Sequence, residues 1–109
     1  MNKDQNQIII NDTIRISHAE AQNWLKWMKN IVIPGLKKRE EIQGVRITKI
    51  MDDKGADGIT FACQYICPDS HTYSEFIDNF DLKIQQEQNN RFRNHFGTFR
   101  TVMEILLEG

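Results

Sequence analysis

The sequence lacks the features by which several classes of protein are recognised. Its apolar runs are only a few residues long, like Ile8–Ile10 near the N-terminus. A membrane-spanning helix needs about 20 apolar residues, and the apolar core of a signal peptide also needs more than this run supplies. With two prolines and six glycines among 109 residues, the chain has no linker or low-complexity segment. We therefore predict a cytoplasmic protein with a flexible N-terminus, residues 1–6, and one domain, residues 7–109.

An excess of charge of either sign is also absent. Fourteen basic and fifteen acidic residues give a net charge of −1, and the one basic run, Lys37–Arg39, is followed at once by Glu40 and Glu41. A nucleic-acid-binding domain carries a basic face or stripe. We therefore expect no nucleic-acid partner.

Cysteine is scarce as well. Cys63 and Cys67 are the only two, and in the extended strand predicted for them their Cα atoms lie roughly 13 Å apart. A disulfide needs Cα atoms within about 7 Å, so we predict two reduced, buried thiols. The same extended geometry keeps Cys63, Cys67 and His71 from converging on a zinc ion.

Motifs of catalysis and cofactor binding are missing too. The chain contains no nucleophile motif, glycine-rich phosphate loop or dinucleotide fingerprint. Its acidic residues are scattered, with no carboxylate pair suited to acid–base chemistry. We therefore predict no metal and no cofactor, and the sequence leans against an enzyme without deciding the question.

What the sequence does contain is clear hydrophobic periodicity. Alternating patterns predict four strands, at residues 7–16, 42–51, 59–67 and 97–107. Capping-box spacings at Ser17 and Thr72 predict the starts of two helices. Pro34–Gly35 closes or kinks the first helix. In the second helix the apolar stripe turns polar after Ile84, which predicts that the helix breaks or changes its packing partner between Asp81 and Asn90.

This order of elements predicts an α+β fold, the ferredoxin-like β-α-β-β-α-β sandwich. Its antiparallel four-stranded sheet has the first and third strands at the centre and both helices on one face. The third predicted strand fits a central place, because Phe61 and Tyr65 on one of its faces alternate with Ala62 and Ile66 on the other.

The face of the sheet without helices predicts a homodimer. Val102 and Leu106 would add further apolar side chains to the face of the fourth strand that is not in the core. Soluble monomers seldom expose a large apolar patch, so a second copy packed sheet to sheet is the economical arrangement. Such a dimer is a dimeric α/β barrel.

Three residues are candidates for a ligand-binding or dimer-cleft site. Trp27, at the edge of the first helix stripe, is either a half-buried rim residue or part of a dimer contact or ligand cleft. His95, near Arg91, is either a hydrogen-bonded helix-end histidine or a pocket residue. Arg100 lies mid-strand, where a cation needs a counter-charge. It either pairs with Glu104 or a partner's acidic residue, or binds an acidic small molecule.

Several segments resemble one family of small bacterial proteins, catalogued as domain of unknown function 4286. They are Trp24–Lys29 with the Ile-Pro pair that follows, the terminal segment Phe96–Glu104, and, more weakly, residues 64–65 and 73–76. The resemblance extends from Ile8 to Glu108. Members often carry a histidine just before the Ile-Pro pair, and this chain has Val32 there.

The resemblance implies a fold and not an activity, because the family has no established function. We predict a non-enzymatic homodimer that binds a small ligand or a protein partner. The alternative, by fold analogy alone, is a cofactor-independent monooxygenase-like oxidoreductase of the dimeric α/β-barrel type. That alternative requires Trp27, His95 and Arg100 to converge on one cavity.

Overall fold

A computed structural model describes residues 6–51 and 57–109. Most of the predicted N-terminal segment, residues 1–6, and residues 52–56 of the loop between the second and third strands lie outside this part. The four strands follow the alternating patterns closely: β1 is Ile8–Ile16, β2 is Gly44–Lys49, β3 is Ile59–Cys67 and β4 is Phe96–Glu104. All neighbours are antiparallel, in the order β2-β3-β1-β4. The predicted sandwich, with the first and third strands central, is confirmed.

Two helical regions lie side by side on one face of the sheet, and we call them the first and second helical layers. Each is interrupted by a π-helical segment. The first layer contains α1 (His18–Trp27), a π-helical segment (Met28–Val32) and α2 (Ile33–Lys37). The second contains α3 (Ser70–Phe76), a π-helical segment (Ile77–Asp81) and α4 (Leu82–Phe92). None of the helices in the described part is long and apolar enough to cross a membrane.

Of the two alternatives for Pro34–Gly35, closing the first helix is wrong, because helical structure continues to Lys37. A proline lacks the N–H of an α-helical bond, and its ring clashes with the carbonyl four residues earlier. The π-helical segment directly before it changes the hydrogen-bonding pattern, so the chain passes Pro34 without leaving the helix.

The predicted break between Asp81 and Asn90 is also wrong, since α4 runs through that region unbroken. The polar position that suggested it, Gln88, is buried. Its Oε1 accepts a hydrogen bond from Trp24 Nε1 at 2.9 Å. A polar residue can occupy a core-facing position when its hydrogen bonds are made.

The two helix starts differ from the predicted capping boxes. Ser17 precedes α1 but makes no side-chain cap; its Oγ lies 3.1 Å from His95 Nδ1 instead. The second layer begins before Thr72, with Asp69 as its cap. Asp69 Oδ1 accepts a hydrogen bond from the Thr72 amide at 2.8 Å, and the Asp69 amide donates to Thr72 Oγ1 at 3.3 Å. Thr72 thus closes this box in place of the expected glutamate.

The Asp69 cap makes stability depend on pH. The hydrogen bond from the Thr72 amide lowers the pKa of Asp69, so the cap stabilises the folded state above the ordinary carboxyl pKa and is lost as the pH falls through the lowered one. Asp69→Ala should therefore reduce the free energy of unfolding at pH 7, with a smaller difference from wild type at about pH 2.5. Urea denaturation at both pH values measures this. Asp78→Ala, which removes an exposed carboxylate, is the control, and an equal loss at both pH values would contradict the prediction.

The core lies between the helical layers and one face of the sheet. Isoleucines at alternate positions of β1 pack there with Trp24, Met28 and Phe76. Cys63 and Cys67 are buried and unbridged, as predicted. Burial raises the pKa of the Cys63 thiol to about 12 and that of Cys67 to about 11, so both thiols are protonated at neutral pH.

The other side of the sheet, which we call the open face, differs from the prediction. Val102 does not lie on it, because Val102 pairs with the core residue Ile10, and paired residues share a face. Leu106 lies beyond the end of β4. On β4 the open face carries Phe99, Thr101 and Met103, whose partners on β1 also point away from the core.

Candidate functional site

Trp27 lies in the core. Of its two predicted roles, that of a half-buried rim residue is therefore wrong. Its side chain is 4% exposed and packs edge-on against Phe92, with ring centroids 5.7 Å apart. The Arg91 guanidinium lies over the indole ring, 5.7 Å from its centroid. The indole N–H has no hydrogen-bond acceptor in the described part of the chain.

His95 is an exposed residue in the turn between α4 and β4. Its Nδ1 lies 3.1 Å from Ser17 Oγ, and its carbonyl accepts a hydrogen bond from the Ser17 amide at 2.8 Å. Among the described residues no carboxylate contacts the imidazole, so this pair lacks the third group that orients the base in a hydrolytic triad. The contacts join the start of α1 to the start of β4.

Arg100 forms an ion-pair cluster within the chain. It lies directly opposite Asp12 on the core-facing side of β1 and β4. Its Nε and Nη2 donate to the two Asp12 oxygens at 2.7 and 2.9 Å. Nη1 and Nη2 donate to Asp81 at 2.8 and 2.9 Å. The expected pairing with Glu104 is therefore wrong, because the π-helical segment that ends at Asp81 brings a second carboxylate over β4.

The cluster is nearly saturated. A guanidinium has five N–H donors, and four hydrogen bonds to carboxylates occupy most of them. The hydrogen bonds that Arg100 donates to Asp12 and Asp81 raise its pKa still further against the effect of burial, so it is permanently charged. Little donor capacity is left for an acidic ligand, and the cluster joins β1, β4 and the second helical layer.

The space between the sheet and the helices beside this cluster is small. A cavity of about 10 Å³, lined by Asp12, Cys63, Tyr65 and Gln88 among others, lies there. It has room for one water molecule at most. Burial raises the pKa of Tyr65 well above its usual value, so the phenol is neutral.

The three predicted site residues do not meet. Trp27 lies beneath the outer surface of the helices, His95 lies at one end of the sheet, and Arg100 lies between the sheet and the second helical layer. No cavity of the described residues is lined by two of them. The convergence that the oxidoreductase alternative requires is not observed.

The outer surface of the helices carries a feature that the sequence did not reveal, which we call the interhelical groove. It consists of two depressions, of about 520 and 500 Å³, that meet at Ile31. The first depression is lined by residues of both π-helical segments, among them Val32 and Phe80. The second lies beside Trp27 and Phe92. Val32, where the family resemblance expects a histidine, is thus a groove residue.

The open face carries a row of polar side chains that crosses three strands. Arg46 Nη2 donates to Gln64 Oε1 at 2.8 Å, and Gln64 Nε2 donates to Asn11 Oδ1 at 3.1 Å. Asn11 Nδ2 in turn donates to Thr13 Oγ1 at 3.3 Å. The prediction that β3 is apolar on both faces is therefore only partly right, because Gln64 lies at the centre of its open side.

Apolar side chains flank this polar row on both sides. Ile9, Ile66 and Met103 lie on one side of it, and Ala62 and Phe99 lie on the other. The open face is therefore a four-stranded surface with two apolar bands and a hydrogen-bonded polar row between them.

Comparison with known proteins gives one family and a set of similar folds. The family described as "Domain of unknown function (DUF4286)" matches residues 7–106. No curated protein matches the chain. A crystal structure described as a dimeric ferredoxin-like protein from an uncultured marine organism has a TM-score of 0.74 at 8% identity and covers 95% of this chain and 99% of its own.

Two further solved structures are similar. An ethyl tert-butyl ether D (EthD) family protein from Bacillus halodurans C-125 has a TM-score of 0.62 at 12% identity, over 90% of this chain and 99% of its own. An EthD-like protein from Ralstonia eutropha JMP134 has a TM-score of 0.64 at 10% identity, over 96% of both chains. At such identities these similarities show the ferredoxin-like fold and nothing about activity.

Proposed function

The chain belongs to the family described as domain of unknown function DUF4286, which supplies no activity, and we propose from its geometry that it is a non-enzymatic homodimeric binding module. In this dimer the open faces of two copies pack against each other, which gives a dimeric α/β barrel. The observation that carries the proposal is the exposed apolar surface of the open face and the adjoining C-terminal segment.

That surface is unusually apolar for a face in contact with water. Phe99 is 69% exposed, and Leu107 beyond β4 is 94% exposed, next to the exposed Leu106. Met103 is exposed on the same face. Exposed apolar bands beside a hydrogen-bonded polar row are typical of an interaction surface, which combines apolar area with paired polar groups.

The polar row on the open face does not oppose dimerisation. Burying a polar group is costly chiefly when it loses its hydrogen bonds. The Arg46–Gln64–Asn11 row makes its hydrogen bonds across the strands of one copy. A second copy can therefore cover the row without leaving these groups unpaired.

With its C-terminal extension, the face has nearly the size of a standard interface. Three strands of nine residues and one of six give a projected area of about 520 Å², from the usual rise and strand spacing. Residues 105–109 extend beyond β4 and add to it. A standard interface buries about 800 Å² on each partner, which this face approaches. Two-fold symmetry would bring the same surface of each copy together.

Two further observations support the proposal. The similar structure from the uncultured marine organism is itself described as dimeric. The two unbridged, buried cysteines fit a reducing compartment, so we place the dimer in the cytoplasm of a bacterium.

Sedimentation velocity on the full chain at micromolar concentration tests the proposal. We expect a species of twice the 12.8 kDa chain mass. A single folded subunit under these conditions would overturn the dimer. No observation favours the monooxygenase-like alternative, because Trp27, His95 and Arg100 lie apart and the cavity beside Arg100 holds at most one water.

A further inference from the structure

We propose that the interhelical groove binds an acidic amphipathic helix of a protein partner. The groove lies on the outer side of the helices, opposite the open face, so it stays free in the proposed dimer. This inference names a partner chemistry and a surface that dimerisation does not involve.

The shape of the groove suits a helix. From Asn23 to Leu36 it follows about 20 Å of the first helical layer, at about 1.5 Å per residue. Its two depressions, of about 520 and 500 Å³, lie on either side of Ile31. A small molecule would fill only one of them, whereas a helix of about 14 residues would span both.

The apolar side chains of the groove supply the contact surface. Ile31, at the junction of the two depressions, is 53% exposed. Phe80 and Ile84, which are half-buried, line one depression, and the buried Trp27 and Phe92 form the floor of the other. A helix with apolar residues three and four positions apart can place successive side chains in the two depressions.

The charge of the groove selects an acidic partner. Five ionisable side chains line the two depressions, and four of them are cations: Lys26, Arg39, Lys83 and Arg91, with Glu87 the exception. The whole chain has a net charge of −1, so this is a local basic surface on a weakly acidic protein. Complementary charge steers and orients a partner.

The cations are also arranged for binding. The Arg39 guanidinium is stacked on Phe80, 3.0 Å from the ring centroid, and its Nε lies 3.4 Å from a Glu41 oxygen. Arg91 lies over Trp27. These contacts hold both arginines beside the apolar floor, which reduces the entropy lost on binding. Lys26 and Lys83 make no ion pair in the described part of the chain, so carboxylates of a partner can pair with them.

Two synthetic peptides of about 14 residues test this assignment on the full chain. Both carry leucines at helical spacing, and the flanking positions are all glutamate in one peptide and all lysine in the other. Each peptide carries a fluorescent label. Titration followed by fluorescence anisotropy at low salt should show that one glutamate peptide binds per chain. The lysine peptide should bind at least about tenfold more weakly. Absence of binding, or equal binding of both peptides, would overturn the proposal.

Paired variants locate the binding. Lys83→Glu and Ile31→Asn should each weaken the glutamate peptide about threefold to tenfold. Lys29→Glu and Leu82→Asn make the same changes at exposed positions outside the groove and should leave affinity unchanged. Equal losses in both sets would overturn the proposal, as would displacement of the peptide by a single-stranded oligonucleotide. Phe99→Asp on the open face should not affect peptide binding, which separates this test from that of the dimer.

Discussion

Replacing Arg100 with leucine should lower the free energy of unfolding by about 3 kcal/mol, near the lower end of the range for breaking a buried ion pair. The reason is that Asp12 and Asp81, whose side chains are only 13% and 14% exposed, would keep their charges and lose the guanidinium between them. A domain of this size has a total stability of about 5–15 kcal/mol, so the loss is large. Urea denaturation at pH 7, followed by tryptophan fluorescence, measures it.

A matched arginine variant outside the cluster identifies the cause. Arg93→Leu is the matched control, since Arg93 is an exposed arginine in the turn after α4, and its loss should cost less than about 1 kcal/mol. If the two variants were equally stable, the cluster around Arg100 would have no structural role.

The sequence pattern contained both central members of this cluster but not their contact. Asp12 is a charge among the alternating isoleucines of the first strand, and Arg100 is a lone cation in the last. Their pairing follows only from the antiparallel register of β1 and β4, which places them opposite each other. Asp81 could not be predicted, because it reaches β4 from a π-helical segment in a region where the sequence suggested a helix break.

The rest of the fold also divides into features that the pattern of one segment determines and features that depend on contacts between segments. Strand β3 has the predicted bounds, because alternation over nine residues determines which side chains are buried. Helix starts depend on single hydrogen bonds, so the capping spacing at Thr72 pointed three residues past the true cap, Asp69. The interhelical groove depends on how two helical layers approach each other, which the pattern within either layer does not determine.

Replacing Phe99 with aspartate should separate the proposed dimer into folded monomers. Phe99 is 69% exposed in the single chain, so the change should leave secondary structure, measured by circular dichroism, intact. Two-fold symmetry places two new carboxylates in the interface, one from each copy. Burial of each unpaired charge is unfavourable, so the dissociation constant should rise by at least about 100-fold. Sedimentation velocity over a concentration series measures this shift.

The control for this variant is Leu82→Asp. Leu82 is 66% exposed, nearly as much as Phe99, but it lies in the second helical layer on the other side of the domain. The same gain of charge there should leave the dissociation constant unchanged, because no copy of the chain covers that position in the proposed dimer. If Phe99→Asp stayed dimeric while Leu82→Asp dissociated, the interface would involve the helices. The exposed side of α4 would then be a contact between copies, and the open face would need another partner.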